Sequence, residues 1–184
     1  MFSGLRKGEL LALEWSDIDF ENDTITVSKS VGYSKGAQFI KTPKTKNSFR
    51  KVTIPHFLTQ RIKAMKAERT RYRLSVGDYW QGGEWLFVQD NGTLMNYSSP
   101  YQAFHDSILR YNECHSEKLP VIPLHGLRHT SATLLIANNQ DIRSVSARLG
   151  HAETSTTLNI YTHFLESTDK KSADILENVL VKQA

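Results

Sequence analysis

Four of the seven histidines in this 184-residue chain, His125, His129, His151 and His163, fall in its last third, close to Arg128, Arg148 and Tyr161. The tightest grouping is Leu124-His125-Gly126-Leu127-Arg128-His129, where a three-residue step puts His125 and Arg128 on one face of a helical turn, directed at a common volume. A guanidinium is a permanently charged planar fork for phosphate oxygens, and an imidazole beside it gives or takes a proton near neutral pH. The pair therefore suits phosphate chemistry, although an isolated H-x-x-R reads equally well as the solvated first turn of a helix. A second grouping is Leu149-Gly150-His151, followed by Ile160-Tyr161-Thr162-His163. Taken singly, His151 reads as a capping or surface residue, and Tyr161, near Leu158 and Ile160, as a core residue with its hydroxyl satisfied locally. A third feature is the stretch holding Lys41, Lys44, Lys46, Arg50 and Lys51 with no acidic residue between them, which reads as a basic loop.

These side chains must be held by elements that the pattern of apolar residues outlines. Leu10, Leu11 and Leu13 among Lys7, Glu9 and Glu14 predict a helix over 6–15. Asp17 to Phe20 and Thr24 to Ser28, separated by the turn signal Glu21-Asn22-Asp23, predict a strand pair. Residues 38–42 and 51–54 read as two more strands around the basic loop Pro43 to Arg50, giving one small antiparallel sheet. A surface helix over 58–74 and a short strand over 85–88 follow, with a turn at Asn91-Gly92. From Ser98 onward the pattern is helical, over 99–112, 126–138, 141–149, 155–162 and 168–181, with Asp141 as a cap and Gly150 as a stop. Helices gathered around a small antiparallel sheet make an α+β domain the expected fold.

With 39% hydrophobic residues, the chain has the size and composition of a single domain with a buried core. No apolar run approaches the ~20 residues of a bilayer span, so no membrane association is expected. Met1-Phe2-Ser3-Gly4-Leu5-Arg6 lacks the layout of a signal peptide, which makes the cytoplasm the expected location. The lone Cys114 offers neither an internal disulfide nor the paired spacing of a zinc site. Twenty-three Lys and Arg against 19 Asp and Glu give a formal charge of +4, which suits a polyanion without requiring one.

Gly4-Leu5-Arg6-Lys7-Gly8-Glu9-Leu10-Leu11-Ala12-Leu13-Glu14-Trp15-Ser16-Asp17-Ile18-Asp19 resembles the first-arginine segment of the tyrosine recombinase, or phage integrase, family. Leu124 to Thr130 resembles its H-x-x-R box, and Leu149-Gly150-His151 through Thr156-Thr157-Leu158 to Tyr161-Thr162-His163 resembles its closing segment, all in the family's order. The resemblance implies a mainly helical catalytic domain over 1–184. It also implies that the family's preceding helices and separate DNA-clamping domain lie upstream of Arg6 and are absent here, so that this polypeptide alone is poor at recombination.

Residue by residue, the resemblance implies that Arg6 and Arg128 clamp the scissile phosphate, that Tyr161 is the nucleophile, and that His125 and His151 fill the two histidine positions. The family's catalytic lysine lies in a hairpin that Thr42-Pro43-Lys44-Thr45-Lys46-Asn47-Ser48 resembles. Lys44, which opens the turn, is favoured, and Lys46 is the competing choice. His129 and His163 would support the fold or the tyrosine helix. Lys41, Lys46 and Arg50 would contact the DNA backbone. The implied reaction is attack of Tyr161 on a DNA phosphodiester, with the lysine protonating the departing 5′-hydroxyl. The resulting 3′-phosphotyrosine keeps the bond energy, so religation needs no ATP, and the arginines and lysine fill the Lewis-acid and leaving-group roles that metal ions supply elsewhere, so no metal or other cofactor is expected.

The partner implied is double-stranded DNA, in site-specific recombination or integration by a mobile element. Copies of the chain would assemble on DNA and stay monomeric or weakly associated without it. The apolar stripe Ala173, Leu176, Val179 and Leu180 reads either as a helix packed on its own domain or, as the resemblance implies, as one that docks on a neighbouring copy. Two other readings compete: a non-catalytic helix-turn-helix DNA-binding module within 126–149, and a type IB topoisomerase acting on a single duplex.

Overall fold

In the computed structural model, the described residues are 1–42, 49–151, 154, 155, 157 and 158. Lys44, Lys46, Tyr161, His163 and the expected helix over 168–181 lie outside them. Apolar alternation builds the first layer. In β2 (Thr24–Val27) Ile25 and Val27 point inward, and the strand pairs antiparallel on one edge with β1 (Ile18–Asp19) and on the other with β5 (Arg50–Thr53). Asp19 fixes the β1–β2 turn, its Oδ1 accepting the Glu21 and Asn22 amides at 3.0 Å each. Val52 sits opposite Ile25, and the two join Leu13, Trp15, Ile18, Val27, Ile54 and Leu86 in the main core.

The expected single sheet is instead two. The strand over 38–42 does not lie beside the one over 51–54. β4 (Ala37–Lys41) folds back on β3 (Ser30–Ser34), a strand absent from the sequence reading, in a separate two-stranded sheet. Lys35 and Gly36 both take positive φ, 51° and 80°, which is the geometry of a tight two-residue hairpin whose twist matches its strands. The helix expected over 6–15 is also shorter. α1 spans Lys7–Leu11, because the backbone beyond it turns to pair with another segment: Trp15 donates to the Glu84 carbonyl and Leu86 to that of Leu13. The strand expected over 85–88 is reduced to these contacts and single bridges of Trp85 to Glu14 and Val88 to Leu94.

The helical part follows the expected order. α2 (His56–Val76) starts after Pro55 and lays Leu58, Ile62 and Met65 against the main core. α3 is Ser99–Cys114, α4 Gly126–Ala137 and α5 Ile142–Leu149. Ala132 and Ile136 of α4 pack on Val145 and Leu149 of α5 in a second core. Asp141 caps α5, its Oδ2 accepting the Ser144 amide at 2.9 Å, and Gly150 ends it in the left-handed conformation at φ 69°. Among the described residues, no helix is long and apolar enough to cross a membrane.

Candidate active site

Arg6 stands at the entrance to α1 in an extended conformation, one residue before the helix begins. Glu9, in the helix's first turn, reaches back to it: Oε2 accepts the Arg6 amide at 2.9 Å and Oε1 accepts Arg6 Nη1 at 2.9 Å. The same carboxylate takes a two-pronged bond from Arg50 on β5, at 3.1 Å from Nη1 and 2.8 Å from Nη2. Glu9 is only 4% exposed. Burial by itself would raise its pKa, but the hydrogen bonds from Arg50 and from the Arg6 amide outweigh that and hold it below the ordinary carboxylate range.

Arg128 occupies the first turn of α4 and is buried. Its Nη1 donates to the Gly4 carbonyl and its Nη2 to the Leu149 carbonyl, both at 2.6 Å. Arg6 Nη2 donates to the next carbonyl along, that of Gly150, at 2.9 Å. The C-terminal end of α5, where carbonyls lack helical partners and carry partial negative charge, therefore seats both guanidiniums. Burial, then the nearby charge of Arg6, lowers the pKa of Arg128 to about 10, which leaves it cationic at physiological pH. Arg6 and Arg50 bond to the Glu9 carboxylate and Arg128 lies within reach of its charge, so three guanidiniums face this one carboxylate and the cluster remains electropositive.

His125 immediately precedes α4, and its ring meets that of His129 edge-on at 4.8 Å. Burial, followed by His129, Arg128 and Arg6, lowers its pKa. His151 follows Gly150; its amide donates to the Ser146 carbonyl, and its Nδ1 lies 2.8 Å from Oγ1 of the buried Thr157. Its pKa falls to about 4, chiefly through burial and then through Arg128 and Arg6, so the ring is neutral at physiological pH.

A cleft of about 660 Å³ opens beside these groups, and Arg6, Lys7, Lys41, His125 and Arg128 are among the residues lining it. The structure thus brings Arg6, Arg128 and His125 to one volume, with His151 in their electrostatic field. Lys41, exposed at the end of β4, faces the same cleft. Arg50 departs from the expectation of a DNA-facing side chain. It is 7% exposed, and its fork is engaged by Glu9 while Nε donates to the Arg148 carbonyl at 2.8 Å. Inward pairing with a buried carboxylate replaces the solvent contact that a phosphate-binding surface residue needs. Sequence reasoning missed Glu9, whose one signal was an acidic residue three positions after an arginine at a helix start. Among the described residues, no group of three or more His, Cys, Asp or Glu side chains is gathered as a metal site would require.

Residues 1–167 match the Phage integrase family, and the chain belongs to that family. Over 97% of its length it is 30% identical to a XerC-like tyrosine recombinase of Caldanaerobacter subterraneus and 33% identical to the ICEBs1 integrase of Bacillus subtilis. It covers 47% and 46% of those proteins, so the chain spans about half the length of the curated relatives it matches. The fold resembles that of the Tn1549 transposon integrase in complex with transposon right-end DNA. The TM-score is 0.74 at 28% identity, over 87% of this chain and 51% of that one. The helices and small antiparallel sheets are thus those of a tyrosine recombinase catalytic domain.

Proposed function

We propose that this chain carries the active site of a site-specific DNA recombinase or integrase, which cleaves and rejoins double-stranded DNA through a 3′-phosphotyrosine. The observation that carries the reading is the seating of Arg6 and Arg128 on the consecutive carbonyls of Gly150 and Leu149, beside a cleft that both line. Each guanidinium has five N–H groups and spends one on its carbonyl there and one more elsewhere, Arg6 on Glu9 and Arg128 on the Gly4 carbonyl, so N–H donors remain for the two non-bridging oxygens of a phosphodiester. Preorganised cations of this kind stabilise the charge that gathers on those oxygens in the transition state.

In this reading the Tyr161 oxygen attacks phosphorus as the bond to the 5′-oxygen breaks, and the phenol, with a free pKa of ~10, passes its proton to His125 or His151. His125, which lines the cleft, serves the proton transfer. His151, held neutral, suits a hydrogen bond to a phosphate oxygen. Lys44, with Lys46 as the competing choice, protonates the 5′-hydroxyl as it leaves, and Lys41 and Lys46 bind the DNA backbone. Copies of the chain assemble on DNA and act in the cytoplasm. The chain is the catalytic portion of a longer recombinase whose preceding helices and DNA-clamping domain act with it, a reading that its half-length coverage of relatives supports.

The test is incubation with a nicked duplex, from which the short cleaved strand diffuses away, in the presence of EDTA. A covalent protein–DNA complex that survives denaturation is the expected result. Binding without any adduct, at a concentration that saturates the duplex, would instead favour a DNA-binding module.

A further inference from the structure

The buried Glu9–Arg50 pair lies behind the proposed clamp and is not used by the proposed chemistry. Arg50 leads β5 directly out of the basic stretch, and Glu9 lies on α1 41 residues earlier. Burying an ion pair rarely stabilises a fold beyond what apolar residues of the same volume would achieve, so its presence calls for a reason other than stability. Its contacts supply one. Glu9 grips Arg6 at both the amide and Nη1, which fixes where the backbone leaves the extended segment and where the guanidinium points. Arg50 at the same time donates through Nε to the Arg148 carbonyl, in the last turn of α5. Its guanidinium also packs closely against Gly150: a Cβ built there would come within 2.6 Å of Nη1 and 2.9 Å of Cζ. A single side chain therefore touches the carboxylate that holds Arg6 and the turn whose carbonyls hold both Arg6 and Arg128.

We infer that Arg50 is a positioning residue for the phosphate clamp, locking Arg6 through Glu9 and the Leu149–Gly150 turn through direct contact. The inference rests on the proposed roles of Arg6 and Arg128. It assigns Arg50 no contact with DNA. Loss of the fork leaves Glu9 buried with half its partners and frees Arg6 and the turn to shift, and misplacement of a catalytic group by ~1 Å is enough to cost about 10²-fold in rate. Lysine does not replace it, because a point charge cannot engage both carboxylate oxygens and the Arg148 carbonyl in one plane.

The experiment measures the rate of covalent adduct formation by the full chain on a normal scissile phosphodiester and on one carrying a methylphosphonate. The methyl group replaces a charged non-bridging oxygen, so the second substrate needs the arginines far less. Arg50→Ala should lose about 10²-fold on the phosphodiester and much less on the methylphosphonate, in parallel with Arg6→Ala, and Arg50→Lys should not restore the rate. In case the unpaired Glu9 unfolds the single variant, Arg50→Ala with Glu9→Gln removes the stranded charge and should fold, with the same substrate-selective loss. Equal loss on both substrates, or a phosphodiester rate within about twofold of the parent in the folded double variant, overturns the positioning role. Arg6→Ala cleaving at the parent rate overturns the clamp reading itself, a separate outcome.

Discussion

Arg128 and Gly4 lie 124 residues apart in sequence and share a hydrogen bond of 2.6 Å, from Nη1 to the backbone carbonyl. Through it, and through Nη2 on the Leu149 carbonyl, α4 is tied at one side chain to the segment that leads into Arg6 and to the end of α5. The bonds make Arg128 a structural member of the site as well as its proposed second cation. Arg128→Ala should therefore both unfold more easily and cleave more slowly. Two carbonyls left without a partner cost about 1–3 kcal/mol each when buried, and loss of one preorganised donor slows the chemistry about 10²–10³-fold. Arg128→Lys should fare little better, since one ammonium cannot fill both prongs. Denaturant titration and single-turnover cleavage measure the two effects; an unchanged midpoint would refute the structural half.

Glu9 gives the fold a defined acid sensitivity. Its folded pKa is depressed, so its contribution to stability is fully present above the unfolded value of about 4.5 and is lost as pH falls through the lower, folded one. Glu9→Gln should be less stable than the parent at pH 7, and the gap should close progressively below pH about 4.5. Denaturation midpoints across that range supply the check. A gap independent of pH would mean that the charge on Glu9 does not matter.

His151 should remain neutral throughout the range in which histidines ordinarily titrate. With a folded pKa near 4 against 6.5 unfolded, the unfolded chain takes up a proton between those values that the folded chain refuses. Stability linked to His151 is therefore complete above about 6.5 and declines toward 4. The imidazole resonances of His151, followed by NMR, should titrate near 4, and a midpoint near 6.5 would contradict the burial and the electropositive surroundings described for it.

Much of this site was legible locally. The three-residue step from His125 to Arg128 needed only helical geometry, and Asp141 and Gly150 announced the ends of α5 by residue type. Those features depend on neighbours in sequence. The Glu9–Arg50 pair and the seating of Arg6 on Gly150 depend on partners 41 and 144 residues away, and nothing in the residue types alone selects among such pairings. The same holds for the early end of α1, which is set by the pairing of Leu13 and Trp15 with residues 84–86. Arg50 illustrates the cost: a basic residue in a basic stretch reads as a DNA contact until its buried partner is known.

The choice between Lys44 and Lys46 can be made by changing the leaving group. A 5′-bridging sulfur departs as a thiolate and needs no proton, so the variant lacking the general acid should recover on that substrate alone. Lys44→Ala is expected to recover, and Lys46→Ala to lose affinity for DNA with little selectivity between oxygen and sulfur. Recovery by Lys46→Ala with Lys44→Ala still inactive would reverse the assignment.

The central claim is that Tyr161 becomes covalently joined to DNA, and the most direct measurement is mass-spectrometric mapping of the adduct trapped on a nicked duplex. The account predicts a nucleotide attached to the peptide containing Tyr161, and no adduct from Tyr161→Phe under conditions where that variant still binds the duplex. An adduct that persists in Tyr161→Phe, or one that maps to any other residue, would contradict it.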